Sequence, residues 1–175
     1  AGRLEGKRAL IFGGGSGLGR ACAEAMAQEG AAVFISGRRA GKLAEAAARA
    51  PGRIAYAAGD ATLEADVERV VAAAVVALGG LDTLVASSGV SVIGSTLDTT
   101  LEQFRGVMDT NLLPLFLGAR HAAPHIAAAG GGSTAMISAS SLRRPPSGGT
   151  TRSRVGLPRP GTPTFCRRSA RSCCR

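Results

Sequence analysis

Apolar residues follow two rhythms along this chain, which take turns from residue 8 to about residue 138. Short apolar runs read as strands. Between them, apolar residues recur every three or four positions, which reads as helix. Arg8–Phe12 (RALIF) is a short strand. Residues 17–29 form a helix with Leu18, Cys22, Ala25 and Met26 on one face, ended by Gly30. Residues 31–36 (AAVFIS) are apolar throughout, as expected of a strand buried on both faces. A helix over 40–50 is broken by Pro51-Gly52, and 53–58 is the third strand. Thr62 is expected to cap a helix reaching Leu78, apolar at Leu63, Val67, Val70, Ala74 and Leu78. Gly79-Gly80 stops it, and 81–86 is the fourth strand.

A loop over 87–100 leads to one long helix over 101–128. Its apolar positions are Leu101, Phe104, Met108, Leu112, Leu115, Ala119, Ala122 and Ile126. Pro114 and Pro124 fall inside it and predict a kink. Three glycines, Gly130 to Gly132, turn the chain into a fifth strand over 133–138. Alternating strands and helices predict an α/β protein with a parallel sheet covered on both faces. Right-handed crossovers favour a Rossmann-like doubly wound sheet of order 3-2-1-4-5. Ligands in such sheets sit at the carboxyl ends of the strands, here between the first and the fourth.

The first strand runs into Gly13-Gly14-Gly15-Ser16-Gly17-Leu18-Gly19 at that edge. Gly13, Gly17 and Gly19 fit G-x-x-x-G-x-G, a relative of the dinucleotide fingerprint. A diphosphate needs backbone N–H groups close by, and a Cβ holds it off. The helix starting near Gly17 adds about half a positive charge at its N-terminus.

Charge divides the chain in two. The formal net charge is +9, but residues 1–141 carry 12 basic and 12 acidic residues. The last 34 residues carry nine arginines and no acid. This tail, 142–175, is an Arg/Pro/Ser/Gly/Thr mixture expected to be mostly disordered. Nucleic-acid binding through it ranks low, because only Phe165 offers a stacking ring. Of the four cysteines, Cys22 reads as a small buried residue, and Cys166, Cys173 and Cys174 form no zinc pattern. His121 and His125 share a helix face without a third ligand, so no metal site is expected. No apolar run is long enough to span a bilayer, and no secretory signal opens the chain, which makes a cytoplasmic protein without membrane contact the expectation.

Taken in order, the motifs of residues 1–141 resemble the N-terminal part of a short-chain dehydrogenase/reductase, without that family's last strands and helices. The loop at Gly13 to Gly19 is similar to the family's cofactor loop, with Phe12 where Thr is usual. The resemblance implies cofactor contacts at Gly13, Gly15, Ser16, Gly17, Leu18 and Gly19. It implies others at Asp60 and Ala61, which follow the third strand, and at Ser87 and Gly89. Ala86-Ser87-Ser88-Gly89 stands where the family has Asn-Asn-Ala-Gly, and only the glycine is kept. Asn111 matches an asparagine that helps order a proton-relay water. Ser138-Ala139-Ser140-Ser141 matches the segment holding the catalytic serine; Ser140 is favoured, with Ser138 and Ser141 as alternatives.

The second strand ends at Gly37-Arg38-Arg39, where NAD binders place an acid for the ribose hydroxyls. A guanidinium grips a 2′-phosphate by paired hydrogen bonds, which favours NADP(H) over NAD(H). The competing reading is a solvated turn. The family's chemistry, reduction of a carbonyl or oxidation of a secondary alcohol of a small molecule, also needs Tyr-x-x-x-Lys. Here Tyr56 is the only tyrosine, and Lys7 and Lys42 are the only lysines. Impaired turnover is therefore expected, with a non-catalytic dinucleotide-binding protein as the alternative. The step in composition at Leu142 reads as out-of-frame or foreign sequence joined to the fold. The resemblance also implies a homo-oligomer through the helix over 101–128, leaving Leu115 or Ala119 uncovered and the fifth strand as an open edge.

Overall fold

The computed structural model describes residues 2–92 and 97–137, all within the compact unit Ala1–Ser141. Ser138, Ser140, Ser141 and the tail lie outside the described residues. The elements run β1 (Arg8–Phe12), α1 (Gly17–Gln28), β2 (Ala32–Gly37), α2 (Ala40–Ala47), β3 (Ile54–Ala58), α3 (Glu64–Leu78), β4 (Thr83–Ala86), α4 (Leu101–Asn111), α5 (Leu113–Ala128) and β5 (Ser133–Met136). The strands form one parallel sheet in the order β3-β2-β1-β4-β5.

Period-two alternation along β1 sends Leu10 and Phe12 to one face and Ile11 to the other. Leu10 and Phe12 join Val67, Val70 and Val71 of α3 and Leu117 and Ala122 of α5. Ile11 joins Ala23 and Ala27 of α1 and Leu43 and Ala46 of α2. The Phe12 ring lies against α5 at Gly118, where a Cβ would stand 2.7 Å from ring carbon Cε2. The large residue in the strand is thus matched by the smallest one in the helix.

Three expectations need correction. The inward face of α1 is Gly19, Ala23 and Ala27, not the line through Leu18 and Ala25. Leu18 and Ala25 are exposed, while Cys22 and Met26 are half-buried at the core's margin, where burial pushes the Cys22 thiol's pKa up. Thr62 does not cap α3, because its hydroxyl donates back to Asp60 Oδ1 at 2.8 Å. The N-cap is Leu63, without a side-chain bond, and Glu64 and Asp66 in the first turn complement the helix dipole instead.

The third correction is the long helix, which is two. The chain breaks at Leu112, and Pro114 falls in the first turn of α5, where its missing N–H costs nothing. Thr100 and Gln103 start α4 with a reciprocal capping box. No residue of α4 is buried, and Leu101, Phe104, Met108 and Leu112 are exposed. Leu115 and Ala119 are half-buried, and the large apolar residue that α5 leaves exposed is Phe116. Among the described residues β5 pairs with β4 alone, at one end of the strand order, and is exposed throughout.

Candidate functional site

A cleft of about 620 Å³ opens at the carboxyl ends of β1, β2 and β4, where the strand order reverses. The glycine loop forms its floor. Gly13 has φ +78°, and a Cβ there would meet the Ser87–Ser88 backbone at 2.8 Å. Its N–H donates to Ser36 O at 2.8 Å, which ties the loop to the end of β2. Gly17 has φ +55°, and a Cβ there would meet nothing within 4 Å. A backbone that faces open space with no side chain in the way is what a diphosphate requires at a helix N-terminus. The residues present therefore fit a dinucleotide.

Gly13, Gly15, Ser16, Gly17, Leu18, Arg38, Arg39, Asp60, Ala61, Ser87, Gly89 and Asn111 all line this one cleft. Gly19 does not: it is buried behind the loop, where a Cβ would collide with the Gly13 carbonyl. Its glycine serves the packing of α1 against the loop.

At the β2 end, the Arg38 side chain has no ion pair or hydrogen bond among the described residues. Arg39 Nη2 donates to Ser16 Oγ at 3.2 Å, so the N-cap residue of α2 is tied to the loop. Asp60 is fixed from two sides. Its N–H donates to Asp66 Oδ2 at 2.8 Å, and its Oδ1 accepts from Thr62 N and Oγ1 at 3.0 and 2.8 Å. That backbone bond, with the Arg69 guanidinium at 2.8 Å, holds the Asp66 carboxyl below its ordinary range.

At the other end, Asn111 clamps the loop after β4. Its Oδ1 accepts from Val90 N at 2.7 Å, and its Nδ2 donates to Val90 O at 2.9 Å. Both ends of the amide are spent on the backbone of one residue. Ser87 N donates to Phe12 O at 2.9 Å. Together these bonds support the segment where the family's two asparagines are absent.

Sequence reasoning missed Lys42, Met136 and Ile137, which also line the cleft. Lys42 lies three residues past Arg39, so a helix starting at Ala40 brings it back toward the loop; that spacing was the available signal. Tyr56 stands on β3 and is not on the cleft wall, and His121 Nε2 of α5 meets Glu64 Oε1 at the start of α3 at 3.1 Å, with neither residue on the cleft wall.

The sequence model for the short chain dehydrogenase family matches residues 7–150, past Ser141 into the arginine-rich tail. The chain is 38% identical over 122 residues to glucose 1-dehydrogenase of Gluconobacter oxydans, covering 67% of this chain and 46% of that one. It is 37% identical over 121 residues to the NADP-dependent (R)-specific alcohol dehydrogenase of Lentilactobacillus kefiri, covering 67% and 48%. Among solved structures, a short-chain dehydrogenase/reductase from Burkholderia xenovorans, itself described as putative, superposes with a TM-score of 0.73 at 33% identity, over 79% of this chain and 58% of that one. The 3-ketoacyl-(acyl-carrier-protein) reductase of Brucella melitensis, solved with NADH, gives 0.67 at 33% identity, over 70% and 51%. The chain spans about half the length of the curated relatives it matches. Glycine loop, strand order and sequence agree: this chain belongs to the short-chain dehydrogenase/reductase family.

Proposed function

We propose that this chain is the cofactor-binding part of an oxidoreductase that uses NADP(H) on a carbonyl or secondary alcohol of a small molecule. The observation that carries the cofactor choice is the end of β2. There Gly37 replaces an acid, and Arg38 and Arg39 line the cleft beside Ser16. When bound, the cofactor supplies or accepts a hydride at its nicotinamide ring. The chain's own residues bind and orient it. The loop from Gly13 to Gly17 receives the diphosphate, Asp60 and Ala61 border the adenine, and Arg38 and Arg39 hold the 2′-phosphate. Asn111 fixes the loop that carries Ser87 and Gly89 and acts by positioning; Ser140 is the proposed catalytic serine, with Ser138 and Ser141 as register alternatives.

Titration calorimetry with NADPH and NADH tests the cofactor choice. Tighter binding of NADPH, lost in Arg38→Gln, is the expected result; equal affinities overturn it. A relative's name supports each side, since one is NADP-dependent and another was solved with NADH.

A second reading follows from Tyr56 on β3, Lys7 near the amino end of β1 and Lys42 at the adenine end. None of them can serve as a phenol–ammonium pair beside the nicotinamide, so this chain binds the dinucleotide and turns over slowly or not at all. NADPH binding without reduction of a carbonyl panel supports this reading, and turnover at rates ordinary for enzymes rejects it. A cytoplasmic location and a homo-oligomer through α4 and α5 belong to the same proposal. The apolar face of Leu101, Phe104, Met108 and Leu112 is the surface such an oligomer would cover. Among the described residues, no helix is long and apolar enough to cross a membrane.

A further inference from the structure

Three cations line the adenine end of the cleft, and they stand in three different states. Arg38 has no side-chain partner among the described residues. Arg39 is set against Ser16. Lys42 is bound to Glu45, Nζ to Oε2 at 2.8 Å, one helical turn along α2.

Lys42 belongs to the wall of the cleft for a geometric reason. The glycine loop runs so close to α2 that a Cβ on Gly15 would stand 3.4 Å from the Lys42 Cβ and 3.3 Å from Leu43 Cδ2. The first turn of α2, which follows directly on its N-cap Arg39, therefore faces the glycine loop. It contains no acid, and its helix dipole favours an anion there. The pair with Glu45 is exposed at both ends, with side chains 47% and 59% accessible. Such pairs hold weakly and exchange readily. A phosphomonoester carries about −1.5 to −2 charges near neutral pH and three acceptor oxygens, so it competes well with one carboxylate.

Resting on the NADP(H) reading above, we propose that Lys42 is a specificity-determining residue for the 2′-phosphate, held in reserve by Glu45. A phosphorylated ribose draws the ammonium off Glu45 and completes a three-cation site with Arg38 and Arg39. A ribose without the phosphate leaves the pair closed, so Lys42 adds nothing to its binding. Glu45 thereby tempers the choice between the two ligands: its ion pair has to be broken for one and is undisturbed by the other, so it holds back the binding of the phosphorylated ligand alone.

The test is titration calorimetry of the full chain with 2′,5′-ADP and 5′-ADP. Lys42→Gln is expected to weaken 2′,5′-ADP about three- to tenfold and leave 5′-ADP unchanged. Glu45→Gln is expected to tighten 2′,5′-ADP about two- to fivefold, and to do so only while Lys42 is present. Equal losses for both nucleotides in Lys42→Gln overturn the proposal. So does tightening by Glu45→Gln that persists in the double variant, which marks a long-range charge effect. If the unmodified chain binds both nucleotides alike, the NADP(H) reading fails and the proposal falls with it. If the chain prefers 2′,5′-ADP and Lys42→Gln keeps that preference intact, only the proposal fails. Both substitutions are at exposed positions, and matching thermal midpoints exclude misfolding as the cause of any change.

Discussion

β2 and β5 belong to one parallel sheet, and each is bonded to a neighbour in regular register, yet they are held in different ways. In β2, Val33, Phe34, Ile35 and Ser36 are all buried between two layers of helices. In β5, Ser133, Thr134, Ala135 and Met136 are all exposed. The ladder continues through Ser133 N to Asp82 O at 2.9 Å and Ile137 N to Ala86 O at 2.8 Å. Backbone pairing and side-chain burial are thus separable. The first sets where β5 lies; the second, which supplies most of a fold's favourable free energy, is concentrated on the β1–β2 side. The helices repeat the contrast: α1 and α2 bury residues against the sheet, and α4 buries none.

Truncating one residue from each side sharpens that comparison most. Leu10→Ala removes a fully buried side chain from β1 and is expected to cost about 2–5 kcal/mol in urea unfolding. Met136→Ala in β5, where the side chain is 46% exposed, is expected to change stability by about 0.5 kcal/mol or less. Equal losses would mean that β5 is covered in solution. Next in size is Gly118→Val, which forces a branched side chain onto the Phe12 ring and should cost about 1–3 kcal/mol. Pairing it with Phe12→Ala should recover part of that loss.

Asn111→Ala cuts both bonds to Val90 and should cost about 0.5–1.5 kcal/mol for each bond at most. Its clearer signature is faster amide exchange over 87–92 with β1 and β2 unchanged, and weaker NADPH binding. The smallest effect concerns pH. The carboxyl of Asp66 is held below its ordinary value of 3.8 by the Asp60 N–H and by Arg69. A depressed carboxylate contributes stability that is complete above its unfolded pKa and is lost as pH falls through the lower, folded value. Between neutrality and about pH 4, the Asp60 turn should therefore hold, and it should loosen below that. Asp66→Asn should flatten this acid limb, as read from amide exchange at Asp60.

The strand order and β1, to its last residue, were legible in the sequence, because buried parallel strands are continuous apolar runs bounded by glycine. The face of α1 was not. Hydrophobicity points to Leu18 and Ala25, whereas close approach to the sheet selects the small residues Gly19, Ala23 and Ala27. The break at Leu112 was hidden because the apolar period runs straight through it, and only Pro114 hinted at it. In the cleft, most of the proposed contacts could be named from motif order alone. The clamp of Asn111 on Val90 and the Lys42–Glu45 pair could not. The clamp depends on how near the 87–90 loop lies to α4, which no local pattern encodes; the pair is a three-residue spacing within α2, and what stays hidden is that the glycine loop passes close enough to bring Lys42 to the cleft.

The Phe12–Gly118 contact bears on how pieces of this family can be exchanged. A cofactor loop transplanted from a relative with threonine at position 12 would bring a smaller residue to a place where α5 has already given up its own side chain. The two halves of such a chimera would meet across a void, each suited to its parent and neither to the other. Positions 12 and 118 are far apart in the chain, yet they have to be inherited together.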